Sequence, residues 1–416
     1  TRRARVGLAA WGLATLVLAI GFAAEAQAQE WWESLPGFGK SAPPQRTANN
    51  GAARQPELMN DLRPGTVPLR SDVMVEALER AVERYQDIVN HGGWPVIPGS
   101  RSIRPEDDDE RLPLLRRRLM MSGDLPRRTA SNDFGFGGGG GEDLEGAIRR
   151  YQENNGVRPT GRVDKFTLQQ LNVPAQARLA QLRLNLNRLR ELLSSRIEDR
   201  YILVNAAAFQ LEAVERYDVE QRHRVIVGKP ERQTPTVRAQ VRALNFYPFW
   251  RVPESVATLD LIPRLQREPD YLQKEQIRVL TGSFNGPEID ASAIDWRVAD
   301  GHKIKFRQDP GPQNALGLLR LDMPNEHGVY MHDTPMKQLF NSRGRSFSAG
   351  CVRVQDVFKL GEWVARYEPG WGEPGRVQDA IERGQQFELV LSRPVPVYFT
   401  YVTAWAEPDG RVQLRP

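Results

Sequence analysis

A chain of 416 residues with 40% hydrophobic, 26% charged and 8% aromatic content is long enough for two or three domains with cores of their own, which excludes a fully disordered chain and a disulfide-stapled miniprotein. Its 57 Lys and Arg against 52 Asp and Glu give a formal net charge of +5, with both signs interspersed, too mild a bias for a nucleic-acid-binding protein. One cysteine, Cys351, stands in the whole chain; it cannot close an intramolecular disulfide, so it is either incidental apolar filler or a thiol kept for its reactivity.

Arg2, Arg3 and Arg5 precede an uncharged run from Val6 to Ala24 and the small-x-small pattern Ala26-Gln27-Ala28. Residues 1–28 therefore read as a secretory signal peptide or, because the run approaches the length that spans a bilayer, an uncleaved inner-membrane anchor. Either way the remainder is expected to be exported. An idle thiol is a liability in an oxidising compartment, which sharpens the question about Cys351.

Residues 29–70, rich in Pro, Gly, Ala, Asn and Gln from 37 onward, read as a flexible linker. Region 71–140 is expected to be a helical scaffold. Val75, Leu78, Val82, Tyr85 and Val89 repeat at three and four behind a Ser71-Asp72 cap, and a second apolar stretch runs from Leu112 to Met121. The acidic run from Glu106 to Glu110 between them reads as a solvated loop. The glycine-rich SNDFGFGGGGG at 131–141 has neither the Lys-Ser/Thr nor the preceding strand of a phosphate-cradling loop, and reads as a linker that marks a loop or a boundary.

Within 141–174, Leu144, Ala147, Ile148 and Tyr151 line one face of a helix that ends at Asn155-Gly156, and Asp164 caps a second helix carrying Phe166, Leu168 and Leu171. Leu179, Leu182, Leu186, Leu189 and Leu193 mark 175–199 as a connecting amphipathic helix. At Tyr201 the period switches to short β-branched and aromatic runs bounded by Gly, Pro, Asn and Asp, so 200–404 reads as a β-rich domain. The gap at 253–299, with Leu259, Leu261, Ile262 and Leu265 at helical spacing, reads as an insertion capping one face of the sheet. Residues 405–416 are expected to be a C-terminal tail. The fold class that follows is α+β and multidomain, with a helical scaffold and a small helical module ahead of a β-rich domain.

The densest segment for chemistry is NEHGVYMHDTPMKQLFNSRGRSFSAGCVRV at 325–354. On a strand Tyr330 and His332 share one face. Cys351 follows the small residues Ser348, Ala349 and Gly350, which let the backbone approach a substrate closely, and the amides near Gly350 and Cys351 are candidates for an oxyanion hole. A neighbouring imidazole can take the proton of a thiol and activate it, and His332 with Cys351 supplies that pair. The third group that orients the imidazole is a backbone carbonyl or Asp333, which strand alternation points away. Arg353 is a candidate carboxylate clamp or a structural ion-pair partner, and Tyr330 a candidate pocket wall. His327 and His332 differ by an odd offset and the chain has one Cys, so no metal site is expected and no cofactor is needed.

This segment resembles the catalytic signature of the L,D-transpeptidases, with their YkuD-type domain. His332, fifteen intervening residues and Ser348-Ala349-Gly350-Cys351-Val352-Arg353 fit the family pattern of a His, a gap, and Ser/Thr-x-Gly-Cys-x-Arg. The resemblance to the large YcbB-like branch extends over GGWPVIP at 92–98, VGKPERQTP at 227–235, FWRVPES at 249–255 and PGPQNALG at 310–317. AIRRYQENNGVRPTGRVDKFTLQQLN, from 147, resembles the three-helix peptidoglycan-binding module. Many members have His where Ala349 stands. The resemblance implies a catalytic domain with a capping insertion, and an exported enzyme whose partners are peptidoglycan stem peptides, a tetrapeptide donor and an amine acceptor. It also implies that Cys351 forms a thioester acyl-enzyme, that His332 serves as base, that the product is a 3–3 cross-link, and that carbapenems acylate the thiol. An L,D-carboxypeptidase, with water as acceptor, and a non-catalytic wall-binding protein share these features.

Overall fold

The computed structural model describes residues 61–126 and 140–415. The expected signal or anchor at 1–28, the linker up to residue 60 and the glycine run from 131 to 139 lie outside the described residues. Among those described, no helix is long and apolar enough to cross a membrane.

Ser71 caps α1 (Asp72–Asn90) by accepting the Met74 N–H, as the sequence signal requires. Its buried stripe is Met74, Ala77, Leu78, Ala81 and Tyr85. α2 (Leu112–Ser122), α3 (Gly140–Asn154) and α4 (Lys165–Leu171), capped by Asp164 on the Thr167 N–H, follow, and then α5 (Ala175–Leu193). Two different cores use these helices. α1 and α5 pack on each other and on the β-domain, whereas Leu115 and Leu119 of α2 share a core with Ile97, Ile103, Leu144, Ile148, Tyr151, Leu168 and Leu171. An isolated bridge between Ile103 and Val163 fastens the extended entry segment to this unit. The helical module thus draws on residues 97–171 rather than starting at 141. The glycine run falls between its first two helices, an insertion inside a unit and not a boundary between two.

The β-domain contains β1 (Arg200–Asn205), β2 (Gln210–Glu215), β3 (Asp218–Gly228) and β4 (Val237–Phe246). β5 (Trp250–Arg251), β6 (Ile277–Thr281) and β7 (Ile304–Gln308) come next. They are followed by β8 (Leu319–Asp322), β9 (Met331–His332), β10 (Ser346–Ser348), β11 (Val352–Val354) and β12 (Phe387–Thr400). The main sheet runs β10-β3-β11-β9-β8-β4-β12-β1-β2, and β3 also pairs with β2, so the sheet closes on itself. β5, β7 and β6 form a separate three-stranded sheet in the capping insertion. That insertion therefore extends beyond the expected 253–299 on both sides.

β1 reads as a continuous apolar run because both its faces are covered. Ile202 and Val204 enter the core shared with Leu244, Leu321, Met331, Val352 and the helix Val357–Ala365, while Tyr201 and Leu203 pack under α1 and α5. Two segments that composition marks as loose are in fact packed. Arg63, in the expected linker, is buried and paired with Glu212 (2.7 Å) and Glu407 (3.0 Å). The expected tail forms the hairpin of β13 (Ala404–Ala406) and β14 (Val412–Leu414), with Trp405 wholly buried under the helical pair. Neither feature follows from local composition, because the partners lie far away in the chain.

Trp405→Ala is expected to cost about 3–5 kcal/mol, the usual loss for emptying a large aromatic site, in urea unfolding followed by tryptophan fluorescence and circular dichroism. A loss under about 0.5 kcal/mol, as for a surface substitution, would place the hairpin outside the cooperative core.

Candidate active site

β9 lies between β8 and β11, antiparallel to the first (Arg320 opposite His332) and parallel to the second (Val352 beside Met331, Arg353 beside His332). In paired strands, residues side by side point to the same face. Met331, Val352, Val354, Leu319 and Leu321 take the inner face and are buried in the main core. Tyr330, His332, Cys351, Arg353 and Arg320 take the other. The alternation expected for Tyr330 and His332 is present, their rings meeting edge-on with centroids 5.6 Å apart.

The imidazole of His332 is 5% exposed. Its Nδ1–H donates to the Asp333 backbone carbonyl at 2.5 Å. A carbonyl can only accept, so Nδ1 carries the proton and Nε2 is left as the base. This settles the orienting group. The Asp333 carboxylate turns away, accepting the Leu318 N–H (3.0 Å) and pairing with Lys337. Burial, and then the Arg353 guanidinium, push the His332 pKa down to about 3, against the carbonyls of Asp333 and Leu316 that favour the protonated ring.

Cys351 sits half-buried beside Tyr330. Burial pushes its pKa up, while hydrogen bonding from the Tyr330 backbone and hydroxyl and the charges of Arg353 and Arg320 favour the thiolate. The Tyr330 hydroxyl also meets the Trp250 side chain of β5, which brings the capping insertion to the thiol. Arg320 lies over the Tyr330 ring, 5.2 Å from its centroid, anchored by Asn245 and Asp322.

The turn ahead of Cys351 is built from its own small residues. Ser348 Oγ accepts the Gly350 N–H (3.1 Å) and donates to the Cys351 carbonyl (2.5 Å). Ser348 and the Gly350 amide, candidates for substrate contact from sequence, are thus consumed in holding the turn. Gly350 has φ +125°, a conformation L side chains rarely adopt, while the space around it would admit a Cβ. Its conformation, not its size, is what the turn requires. The Cys351 N–H has no hydrogen-bond partner among the described residues and is the amide left for an oxyanion. Ala349 is exposed.

Arg353 has no acidic partner within ion-pairing distance among the described residues. Its Nη1 contacts the Met336 sulfur at 3.7 Å and its Nε is buried without a partner. Burial pushes its pKa down to about 10. A structural ion-pair role is therefore not what the structure displays. Sequence reading passed over Trp250, Arg320 and Thr234 as site residues. Trp250 and Thr234 lie within two of the segments that carry the family resemblance, but only the fold brings them to the thiol.

A thiol, a neutral imidazole and an open amide on one face are the equipment of acyl transfer through a cysteine. Residues 199–386 match the family model of the L,D-transpeptidase catalytic domain, and residues 112–171 that of the "Putative peptidoglycan binding domain". Residues 199–386 are thus similar to an L,D-transpeptidase catalytic domain, of an enzyme family acting on peptidoglycan, and the segment ahead of them to a peptidoglycan-binding-type module. A curated relative, the "Putative L,D-transpeptidase" of Haemophilus influenzae, is 31% identical over 214 residues, which is 51% of this chain and 43% of that relative. The chain accordingly spans less than half of that relative's length. Among solved structures, an L,D-transpeptidase from Mycobacterium smegmatis is 11% identical, covering 49% of this chain and 58% of that one with a TM-score of 0.24. The ertapenem-acylated catalytic domain of the E. faecium L,D-transpeptidase is 13% identical, covering 49% and 99% with a TM-score of 0.21.

With His332 neutral above about pH 3, no proton is gained near pH 6.5, and a raised thiol pKa moves thiolate formation above the ordinary range of about 8.5. Alkylation of Cys351 by iodoacetamide is therefore expected to rise steadily from pH 6 to beyond 9 with no inflection near 6.5. A plateau already reached below pH 8 would mean a preformed thiolate–imidazolium pair.

Proposed function

We propose that this protein is an exported, periplasmic L,D-transpeptidase that forms 3–3 cross-links between peptidoglycan stem peptides. The observation that carries the reading is the shared face on which the parallel β9–β11 register sets Cys351 and His332, with the Cys351 amide open beside the thiol. The match of residues 199–386 to the L,D-transpeptidase model supports the bond type, and the 112–171 match supports peptidoglycan as the polymer.

In this reading the Cys351 sulfur attacks the carbonyl of the third stem residue as Nε2 of His332 takes the thiol proton. The developing oxyanion falls to the Cys351 N–H. The imidazolium then protonates the leaving amine, the C–N bond breaks and D-Ala departs, leaving a thioester. The amine of a second stem attacks the thioester, gives its proton to His332 and releases the thiol. His332 begins and ends neutral, as its buried setting requires. Arg353, whose Nε has no partner and which faces no acidic side chain among the described residues, receives a substrate carboxylate. Tyr330 and Trp250 wall the thiol on the capping side.

Intact-mass measurement with a carbapenem is expected to show one adduct on the wild type and none on Cys351→Ala. A wild type that stays unmodified would leave wall binding as its activity. With a purified disaccharide-tetrapeptide, mass spectrometry is expected to show dimers joined 3–3. Tripeptide and free D-Ala without dimers would mean that water is the acceptor.

Arg353→Ala should raise KM for the tetrapeptide donor about 10- to 100-fold, the worth of a charge-assisted hydrogen bond, while alkylation by iodoacetamide persists with its rise moved to higher pH, because the thiolate loses one favourable charge. An unchanged KM would remove the carboxylate from Arg353.

A further inference from the structure

We infer that Thr234, which lies outside the catalytic signature, is the positioning residue that aims the Cys351 amide at the reacting carbonyl. The inference rests on the acyl-transfer reading above and adds a part to the same site.

Thr234 is 1% exposed and sits at the end of the loop after β3. Its hydroxyl has two partners, the Gly228 N–H at 2.9 Å and the Gly350 carbonyl at 2.8 Å. The first can only donate and the second only accept, so the single hydroxyl proton is committed to Gly350. In a trans peptide unit the carbonyl and the following N–H point in opposite directions. Holding the Gly350 oxygen inward on Thr234 therefore turns the Cys351 N–H outward, away from the protein interior, and that N–H has no partner of its own among the described residues.

The loop that presents Thr234 is itself fixed. At Gly228 a Cβ would fall 2.2 Å from the Arg232 carbonyl and 2.6 Å from the Thr234 nitrogen, so the loop folds back directly on the strand end. The Tyr401 hydroxyl donates to the Thr234 carbonyl at 2.8 Å from beyond β12. On the other side of the turn Ser348 closes the Gly350 N–H and the Cys351 carbonyl. Between them Ser348 and Thr234 occupy every polar backbone group from the Gly350 nitrogen to the Cys351 carbonyl except the Cys351 N–H. A left-handed glycine conformation with this much fixing is what an amide aimed before the substrate arrives requires.

The test separates reactions that need this amide from those that need only the thiol. β-Lactam acylation builds charge on a carbonyl oxygen, whereas iodoacetamide alkylation at carbon builds none there. Thr234→Val keeps shape and burial but removes the hydroxyl. It is expected to lower the carbapenem acylation rate about 10- to 100-fold, the scale of a misplaced or lost oxyanion donor, with the alkylation rate within about twofold of wild type. Thr234→Ser, which restores the hydroxyl, is expected to recover most of the acylation rate. If the Val variant does not fold, the Ala variant, with room for a water, replaces it in the same comparison.

Equal acylation rates in Thr234→Val and wild type overturn the inference while leaving the transferase reading intact. So does a parallel fall of acylation and alkylation, which would mean that Thr234 supports the thiol or the fold in general. A wild type that no carbapenem acylates overturns both readings together.

Discussion

The parallel pairing of β11 with β9 is the constraint on which the rest of the site depends. Each strand is only two or three residues long, yet the register of Val352 on Met331 decides every side chain around it. A slip of one residue would send Cys351 into the core and Val352 into solvent. The inner face forbids that slip, since Met331, Val352 and Val354 are fully buried with Leu319 and Leu321. The face that carries Cys351 and His332 is therefore held in place by apolar packing on the opposite face of the same strands. Parallel neighbours require a crossover, here the chain from Asp333 through the turn at 337–341 and β10, and this crossover is what separates the imidazole from the thiol in sequence.

Around this centre the molecule uses polar groups to fix backbone rather than to contact substrate. The Asp333 carbonyl holds the imidazole, Ser348 holds the turn, and Thr234 holds the Gly350 carbonyl. Among the described residues at this centre, the Cys351 N–H and the Arg353 Nε have no hydrogen-bond partner. Buried polar groups are normally paired, so these two open positions are where the proposed reading seats a substrate oxyanion and a carboxylate. Two guanidinium groups, Arg353 and Arg320, bias the face toward anions without forming a thiolate in advance, because burial outweighs them at Cys351. The capping insertion reaches the same point through Trp250. Asp260, in its π-helical turn, pairs with Arg232 of the loop that carries Thr234 (2.5 Å).

The helical part is joined to the β-domain by shared core and not by a tether alone. α1 and α5 cover Tyr201, Leu203 and Tyr398 and enclose the Trp405 hairpin. The smaller module touches the C-terminal hairpin, where Gln413 and Arg415 bond Asn154, and Arg343, ahead of the turn at Cys351, donates to the Gly156 carbonyl at 2.9 Å. Those contacts account for the packing of residues 404–415 although their composition resembles a tail.

What the sequence alone determined is whatever depends on neighbours along the chain. The Ser71 and Asp164 caps, the stripes of α1 and α5, the switch to short strands at 200 and the shared face of Tyr330 and His332 follow from periods of 3.6 and 2 and from local capping chemistry. The signature around Cys351 was readable for the same reason, since its spacing lies within one stretch of chain. Only the tertiary structure decided what depends on distant partners. Arg63 is a buried ion-pair residue because Glu212 and Glu407 meet it, the hairpin at 404–414 is core because two helices cover it, and the glycine run is internal to a module because α2 packs on α3. The choice between the Asp333 carboxylate and its carbonyl, and the role of Thr234, belong to the same class. Hydrogen-bond direction is set by where a partner's lone pair lies in space, and the sequence carries no record of that until the strands have paired.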